Sequence, residues 1–140
     1  MNMGQEAAFG GAKCALFLGQ SLVIILRDDF AGLPFASHWD FPGGGREAYE
    51  TPLMCAQREC REELSISFVS QDVLWQRPFD TNGLRNWFFV ARLPYDVIGG
   101  IALGSEGQRW TMMAPRTYLA HPRGIPVLQQ RLGMYLNGVS

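Results

Sequence analysis

The sequence predicts one mixed α/β domain, of the α+β kind. Three observations carry this. The chain has 140 residues, which is one domain's worth of sequence. Runs of β-branched and aromatic residues recur along both halves, while two segments carry apolar residues at helical spacing instead. No internal repeat, low-complexity tract or linker divides the chain, so a single domain is expected over 1–140.

The elements follow in order. The first ten residues are rich in Gly and Ala and are expected to be loose. Ala12–Leu18 and Ser21–Arg27 are two apolar runs joined by Gly19-Gln20, a connection that suits a hairpin. Leu22-Val23-Ile24-Ile25-Leu26 is apolar throughout, the pattern of a strand buried on both faces. Asp28–Ser37 reads as a loop punctuated by Gly32 and Pro34. Trp39-Asp40-Phe41 is a short strand that stops at the turn Pro42-Gly43-Gly44-Gly45.

Thr51-Pro52 signals a helix start, because Thr caps and Pro fits the first helical position. Leu53, Ala56, Cys60 and Leu64 then repeat with helical spacing, so the helix runs from about Pro52 to about Leu64. Ile66–Pro78 alternates loosely, as one or two strands. Asn82-Gly83 is a strong turn signal between Gln76–Phe79 and Arg85–Arg92, which predicts a hairpin. Gln108–Met113 reads as a last short strand, Thr117-Tyr118-Leu119 as a helical turn, and Pro126–Leu136 as a terminal helix.

Composition narrows the function classes. Apolar residues make up 47%, which excludes a chain too polar to fold. Twelve Lys and Arg against thirteen Asp and Glu give a net charge of -1. That balance argues against adhesion to a nucleic acid polymer or an anionic membrane, and leaves room for a small phosphorylated ligand. No apolar run reaches about 18 residues, so no transmembrane helix is expected. The first residues lack the basic and apolar regions of a signal peptide, and a cytoplasmic location is expected. Cys14, Cys55 and Cys60 are odd in number and lack metal-ligand spacing, which fits small buried thiols in a reducing compartment.

Gly44–Ile66 carries the chemistry. On a helix, Glu59, Glu62 and Glu63 fall within an arc of about 100° and are surface neighbours at i, i+3 and i+4. The apolar stripe lies beside that arc, so the helix is anchored on one side and presents three carboxylates on the next. Arg58 and Arg61 offset part of their repulsion, and a hard divalent cation would offset more. A solvated acidic face with ion pairs is the plainer reading of the helix alone. The preceding Gly43, Gly44 and Gly45, which permit close backbone approach, and the loop acid Glu50 make the combination far more specific.

With those residues in hand, the sequence resembles the Nudix hydrolases, including the MutT-like nucleotide pyrophosphohydrolases. The family box reads G-x5-E-x7-R-E-U-x-E-E-x-G-U, with U a bulky apolar residue. Here its positions are Gly44, Glu50, Arg58, Glu59, Cys60, Glu62, Glu63, Ser65 and Ile66. The lead-in Trp39-Asp40-Phe41-Pro42-Gly43-Gly44 is similar to the family's W-x-F-P-G-G entry. Ser65 departs from the family's Gly, Cys60 is smaller than usual, and Tyr49 stands where Gly often precedes the box Glu. None of these departures removes a carboxylate.

The resemblance implies the Nudix fold, a mixed β-sheet sandwiched between α-helices. It implies hydrolysis of a nucleoside diphosphate linked to another moiety, with Mg²⁺ or Mn²⁺ as cofactor. Brevity and the Phe-Pro-Gly-Gly entry favour a MutT-like enzyme acting on a nucleoside triphosphate. ADP-ribose and dinucleoside polyphosphates are alternatives, and a non-catalytic nucleotide sensor is a further one. By position, Glu59, Glu62, Glu63 and the Gly43 carbonyl would hold the cation, and one carboxylate would orient or deprotonate water. Arg58 would orient a helix carboxylate, and Glu50 would tie the loop to the helix. Glu106, in Gly104-Ser105-Glu106-Gly107-Gln108, is either an extra ligand or base or an exposed turn residue. Arg27, Phe41, Trp87 and Trp110 are candidate substrate contacts, set against the commoner roles of strand end for Arg27 and core for the aromatics. The partner is then a small nucleotide; a homodimer is compatible with this reading.

Overall fold

The structure is a computed structural model and describes residues 8–140. The expected looseness of the first ten residues therefore lies largely outside the described residues. The elements are β1 (Gly11–Leu18), β2 (Ser21–Leu26), β3 (Trp39–Asp40), β4 (Gly43–Gly45), α1 (Pro52–Leu64), β5 (Val73–Thr81), β6 (Leu84–Leu93), β7 (Arg109–Met113), α2 (Pro115–Ala120) and α3 (Pro126–Leu136). Short 3₁₀ turns cover Ser70–Asp72 and Tyr95–Gly100.

The strands form one mixed sheet with the order β3-β2-β1-β6-β5, to which β4 adds along β1 and β7 along β2. β1 runs parallel to β6, from Gly11 beside Asn86 to Leu18 beside Leu93. The other pairings are antiparallel. Residue parity along β1 and β2 makes the layers. Ala12, Cys14, Leu16, Leu18, Val23 and Ile25 face the side that packs Cys55, Ala56, Cys60 and Leu64 of α1. Ala15, Phe17, Leu22 and Ile24 face the side that packs Tyr118, Leu128 and Leu132 of α2 and α3. A sheet clothed by helices on both faces results, as expected, and it explains why β2 is apolar without alternation.

Local chemistry sets the boundaries. The Thr51 hydroxyl accepts from the Met54 N–H at 3.1 Å and caps α1, with Pro52 inside the first turn. The helix ends at Ser65, which takes a left-handed conformation at φ 59° and ψ 33°. The Ser65 N–H donates to Arg61 O, and the Ile66 N–H to Cys60 O. Asn82 and Gly83 both have positive φ, 53° and 78°, which matches the turn to the twist of β5 and β6. Pro78 is tolerated because β5 is an edge strand.

Two expectations change. Ile66 and Phe68 are buried, yet the chain forms no strand before Val73; it runs from the helix end along the core instead. Gly43–Gly45 is a strand as well as a turn, pairing Gly45, Gly44 and Gly43 with Gly11, Ala12 and Lys13. The three cysteines are free and buried. Among the described residues no helix is long and apolar enough to cross a membrane.

Candidate active site

The site forms where β4 passes α1. Glycine is required by geometry at Gly43: at φ 151° a Cβ would meet Ala12 O and the Lys13 backbone, while one on Gly44 would displace the Glu59 carboxylate. The Gly43 N–H donates to Glu63 Oε2 at 2.8 Å, so β4 and the helix carboxylate are joined directly.

Arg58 organises the loop between β4 and α1. Its Nε donates to Glu50 Oε2 at 2.7 Å and its Nη2 to Glu50 Oε1 at 3.2 Å, a forked pair. Nη2 also reaches Gly45 O at 2.8 Å, while Nη1 lies 3.1 Å from Glu62 and 3.3 Å from Glu59. The Glu50 carboxylate in turn accepts from the Glu47 N–H at 2.8 Å. Arg58 therefore holds loop and helix together and orients two of the three helix carboxylates. Its hydrogen bonds hold the Glu50 carboxyl below the usual range, and Glu50 keeps the guanidinium protonated.

Electrostatics mark the helix face as unusual. Burial pushes the Glu63 carboxyl up to about 8, against the Gly43 N–H and Lys13, which favour its ionised form. Burial, and then the nearby Glu62, raise Glu59 as well, although Arg58 opposes them. A loop from the far side completes the cleft. The Ala102 N–H donates to Leu64 O and the Gly104 N–H to Glu63 O, which satisfies carbonyls at the end of α1 and brings Glu106 opposite the helix. Glu47, Glu59, Glu62, Glu63 and Glu106 then line one cleft of about 260 Å³, with Arg58 the cation among them.

An all-oxygen donor set around a single arginine suits a hard divalent cation. The carboxylates are not drawn to one point: among the described residues no three acidic, His or Cys side chains are gathered closely enough to share an ion. The reason is visible in the contacts. Glu62, about half exposed, leans on Arg58, and Glu63 is taken by the Gly43 N–H. The Gly43 carbonyl lies 3.4 Å from Lys13 Nζ.

The sequence candidates divide. Glu59, Glu62, Glu63, Arg58 and Glu106 share the cleft. Arg27 lines an adjoining cavity with Asp40, Glu63 and Glu106. Phe41 does not belong to the site: it is fully buried against Phe88 and Tyr118, because its parity on the strand points it away. Trp87 and Trp110 pack against the core on the α1 side and line neither the carboxylate cleft nor the adjoining cavity. Trp87 instead stacks on Phe89.

The structure adds residues that motif spacing did not single out. Lys13 Nζ and Arg27 Nη1 both pair with Asp40 Oδ2, at 2.9 and 3.1 Å. A lysine within an apolar strand and an aspartate between two aromatics were the available signals. Glu47 is drawn in by Arg58 at 3.4 Å.

The comparisons agree with this geometry. The family model described as NUDIX domain matches residues 10–127. Among solved structures, a MutT protein from Methanosarcina mazei Go1 is similar with a TM-score of 0.72 at 18% identity, over 94% of this chain and 96% of that one. A bifunctional NMN adenylyltransferase/ADP ribose pyrophosphatase from Francisella tularensis is similar with a TM-score of 0.73 at 16% identity, over 96% of this chain and 42% of that one. A C. elegans Ap4A hydrolase gives 0.61 at 17% identity, over 91% and 97%. No curated protein sequence matches the chain. At these identities the structural likenesses speak to the fold alone.

Proposed function

Because the chain belongs to the NUDIX domain family, and is thereby a pyrophosphohydrolase, we propose that its substrate is a nucleoside triphosphate, cleaved to a nucleoside monophosphate and pyrophosphate. One observation carries the reading: five carboxylates and one arginine line a cleft, and two of those carboxylates, Glu63 and Glu106, also line a neighbouring cavity beside Arg27. A polyphosphate needs cations at its oxygens and a base near its phosphorus, and this juxtaposition offers both.

Glu59, Glu62 and Glu63, with the Gly43 carbonyl, are the groups that would hold Mg²⁺ or Mn²⁺. When bound, the cation supplies neutralisation of phosphate charge and a more acidic water. The chain's own groups do the rest. Arg58 fixes Glu59 and Glu62, and the Gly43 N–H fixes Glu63 Oε2. Arg27, 27% exposed, is positioned for a phosphate by its bond to Asp40. Glu106 stands on the opposite wall, outside the Arg58 network, and is assigned to accept the proton of the attacking water at its carboxylate oxygens.

The test is product analysis over a panel of canonical and oxidised nucleoside triphosphates, ADP-ribose and dinucleoside polyphosphates, each with Mg²⁺ or Mn²⁺. Pyrophosphate and monophosphate in equal amounts from a triphosphate are expected. Turnover of ADP-ribose or a dinucleoside polyphosphate with every triphosphate left intact would overturn the substrate assignment. Binding without turnover anywhere would make the chain a sensor.

A further inference from the structure

Lys13 is the one lysine in the chain; the other eleven of its twelve Lys and Arg are arginines. It interrupts the apolar run of β1 and turns toward the segment that enters the site. Its Nζ donates to Asp40 Oδ2 at 2.9 Å, to Phe41 O at 3.3 Å and to Gly43 O at 3.4 Å. An ammonium carries three donors on one nitrogen, and here it meets three acceptors. The planar fork of an arginine could not converge on them from a single atom, which accounts for the residue type.

The three contacts are unequal. Asp40 is the anchor: it is 6% exposed, its Oδ2 is shared with Arg27 Nη1 at 3.1 Å, and its Oδ1 accepts from the Phe41 N–H at 2.8 Å. The Gly43 carbonyl is the farthest of the three, and it is the one assigned above to a divalent cation. Burial disfavours the ionised forms of Glu63 and Glu59, and the Lys13 charge works against burial at both. One ammonium therefore touches the carbonyl and acts on two of the three helix carboxylates. Lys13 also borders a second cavity, of about 330 Å³, whose wall reaches from Asp40 and Gly44 to Arg131 of α3. That open side leaves Nζ room to withdraw from Gly43 O while it keeps Asp40.

We infer that Lys13 is the resident cation of this site: its ammonium occupies the Gly43 carbonyl until a divalent ion displaces it, so that Lys13 sets how tightly the ion binds. The inference rests on the proposed use of Gly43 and the helix carboxylates as ion-holding groups. Its sign follows from charge. Removing the ammonium relieves repulsion of a double positive charge, whereas its support of Glu59 and Glu63 acts on single charges. Loss of Lys13 therefore tightens the ion. A lysine that served merely to pin the Gly43 segment would give the opposite sign, because its loss would loosen a ligand.

The experiment is Mn²⁺ binding to the nucleotide-free full chain, followed by electron paramagnetic resonance, for the unaltered protein beside Lys13→Met, Lys13→Arg and Glu59→Gln. Lys13→Met is expected to bind Mn²⁺ at least about fivefold more tightly. Lys13→Arg keeps the charge and is expected to bind no more tightly than the unaltered chain. Equal or weaker binding by Lys13→Met, or tightening by Lys13→Arg as large as that by Lys13→Met, overturns the inference. Glu59→Gln separates the two readings and is expected to weaken Mn²⁺ at least about tenfold. Binding that is absent throughout, or unchanged in Glu59→Gln, would sink the proposed cation site itself; binding that needs Glu59 but ignores Lys13 would sink this inference alone. Should Lys13→Met not fold, the unaltered protein decides the matter, since selective lysine labelling gives a single side-chain signal in nuclear magnetic resonance. That signal is expected to shift as Mg²⁺ is added and to saturate with it. A signal that stays in place while Mg²⁺ binds overturns the inference.

Discussion

Glu63 condenses the problem of the site into one side chain. It is half-buried on a face it shares with Glu59, and the Gly43 N–H and Lys13 favour its charge. Its carboxyl sits at about 8, whereas an unfolded glutamate titrates near ~4.3. Between those values the folded state holds a proton that the unfolded state has lost. Stability from this group is therefore greatest below the unfolded value, falls as pH rises toward 8, and then levels. Glu63→Gln keeps an acceptor for the Gly43 N–H and removes the titration. In the absence of divalent cations the variant is expected to show a flatter Tm profile between pH 5 and 9. Its Tm at pH 8 is expected to lie several degrees above the unaltered protein, which thermal unfolding across that range would show. Parallel profiles would contradict this account of Glu63. The carboxylate spacing was legible in the sequence, because i, i+3 and i+4 fix neighbours on a helix. The burial of Glu63 and the pairing of Lys13 with Asp40 were not, since they depend on which strand crosses above the helix.

At the scale of the element, α1 is specified at both ends by residues readable in advance. Thr51 and Pro52 start it as their chemistry demands, and Leu53, Ala56, Cys60 and Leu64 were legible as its buried stripe, which Cys55 joins. Its end is strained. Ser65 occupies the left-handed region at φ 59°, where a Cβ costs energy that glycine escapes. Ser65→Gly is expected to stabilise the fold by about 0.5–1 kcal/mol, after allowing for glycine's greater freedom when unfolded. That appears as a Tm higher by about 2–4 °C. A lower Tm would mean that the Ser65 hydroxyl, 3.4 Å from Ala102 O, holds the following loop more firmly than its backbone strain opposes it. Strand β4 was not legible as a strand, because Gly43–Gly45 has no side chains to alternate; at Gly43 it passes β1 so closely that a Cβ would meet Ala12 O and the Lys13 backbone.

On the scale of the whole molecule, the sheet performs a division of labour. Its α1 face is closed by a helix whose next face is acidic, and its other face by α2 and α3, with Arg131 reaching the second cavity. Residue parity decides which candidates reach the site. Trp39-Asp40-Phe41 shows this most clearly: Asp40 joins Lys13 and Arg27, while Phe41 is buried on the opposite side. The sequence displays that alternation, but which side holds the cleft emerges only from the mixed order of the sheet. The same holds for Trp87 and Trp110, whose rings are spent on the core.

In the proposed reaction the three helix carboxylates support cation-dependent cleavage of a pyrophosphate link. The most direct measurement is kcat/KM on the best triphosphate with Mg²⁺ or Mn²⁺ and in chelator, for the unaltered chain beside Glu59→Gln, Glu62→Gln and Glu63→Gln. Turnover that vanishes in chelator and falls by about a hundredfold or more in each folded variant is the predicted result. Turnover that persists without a divalent cation, or that survives all three substitutions, would rule that reaction out.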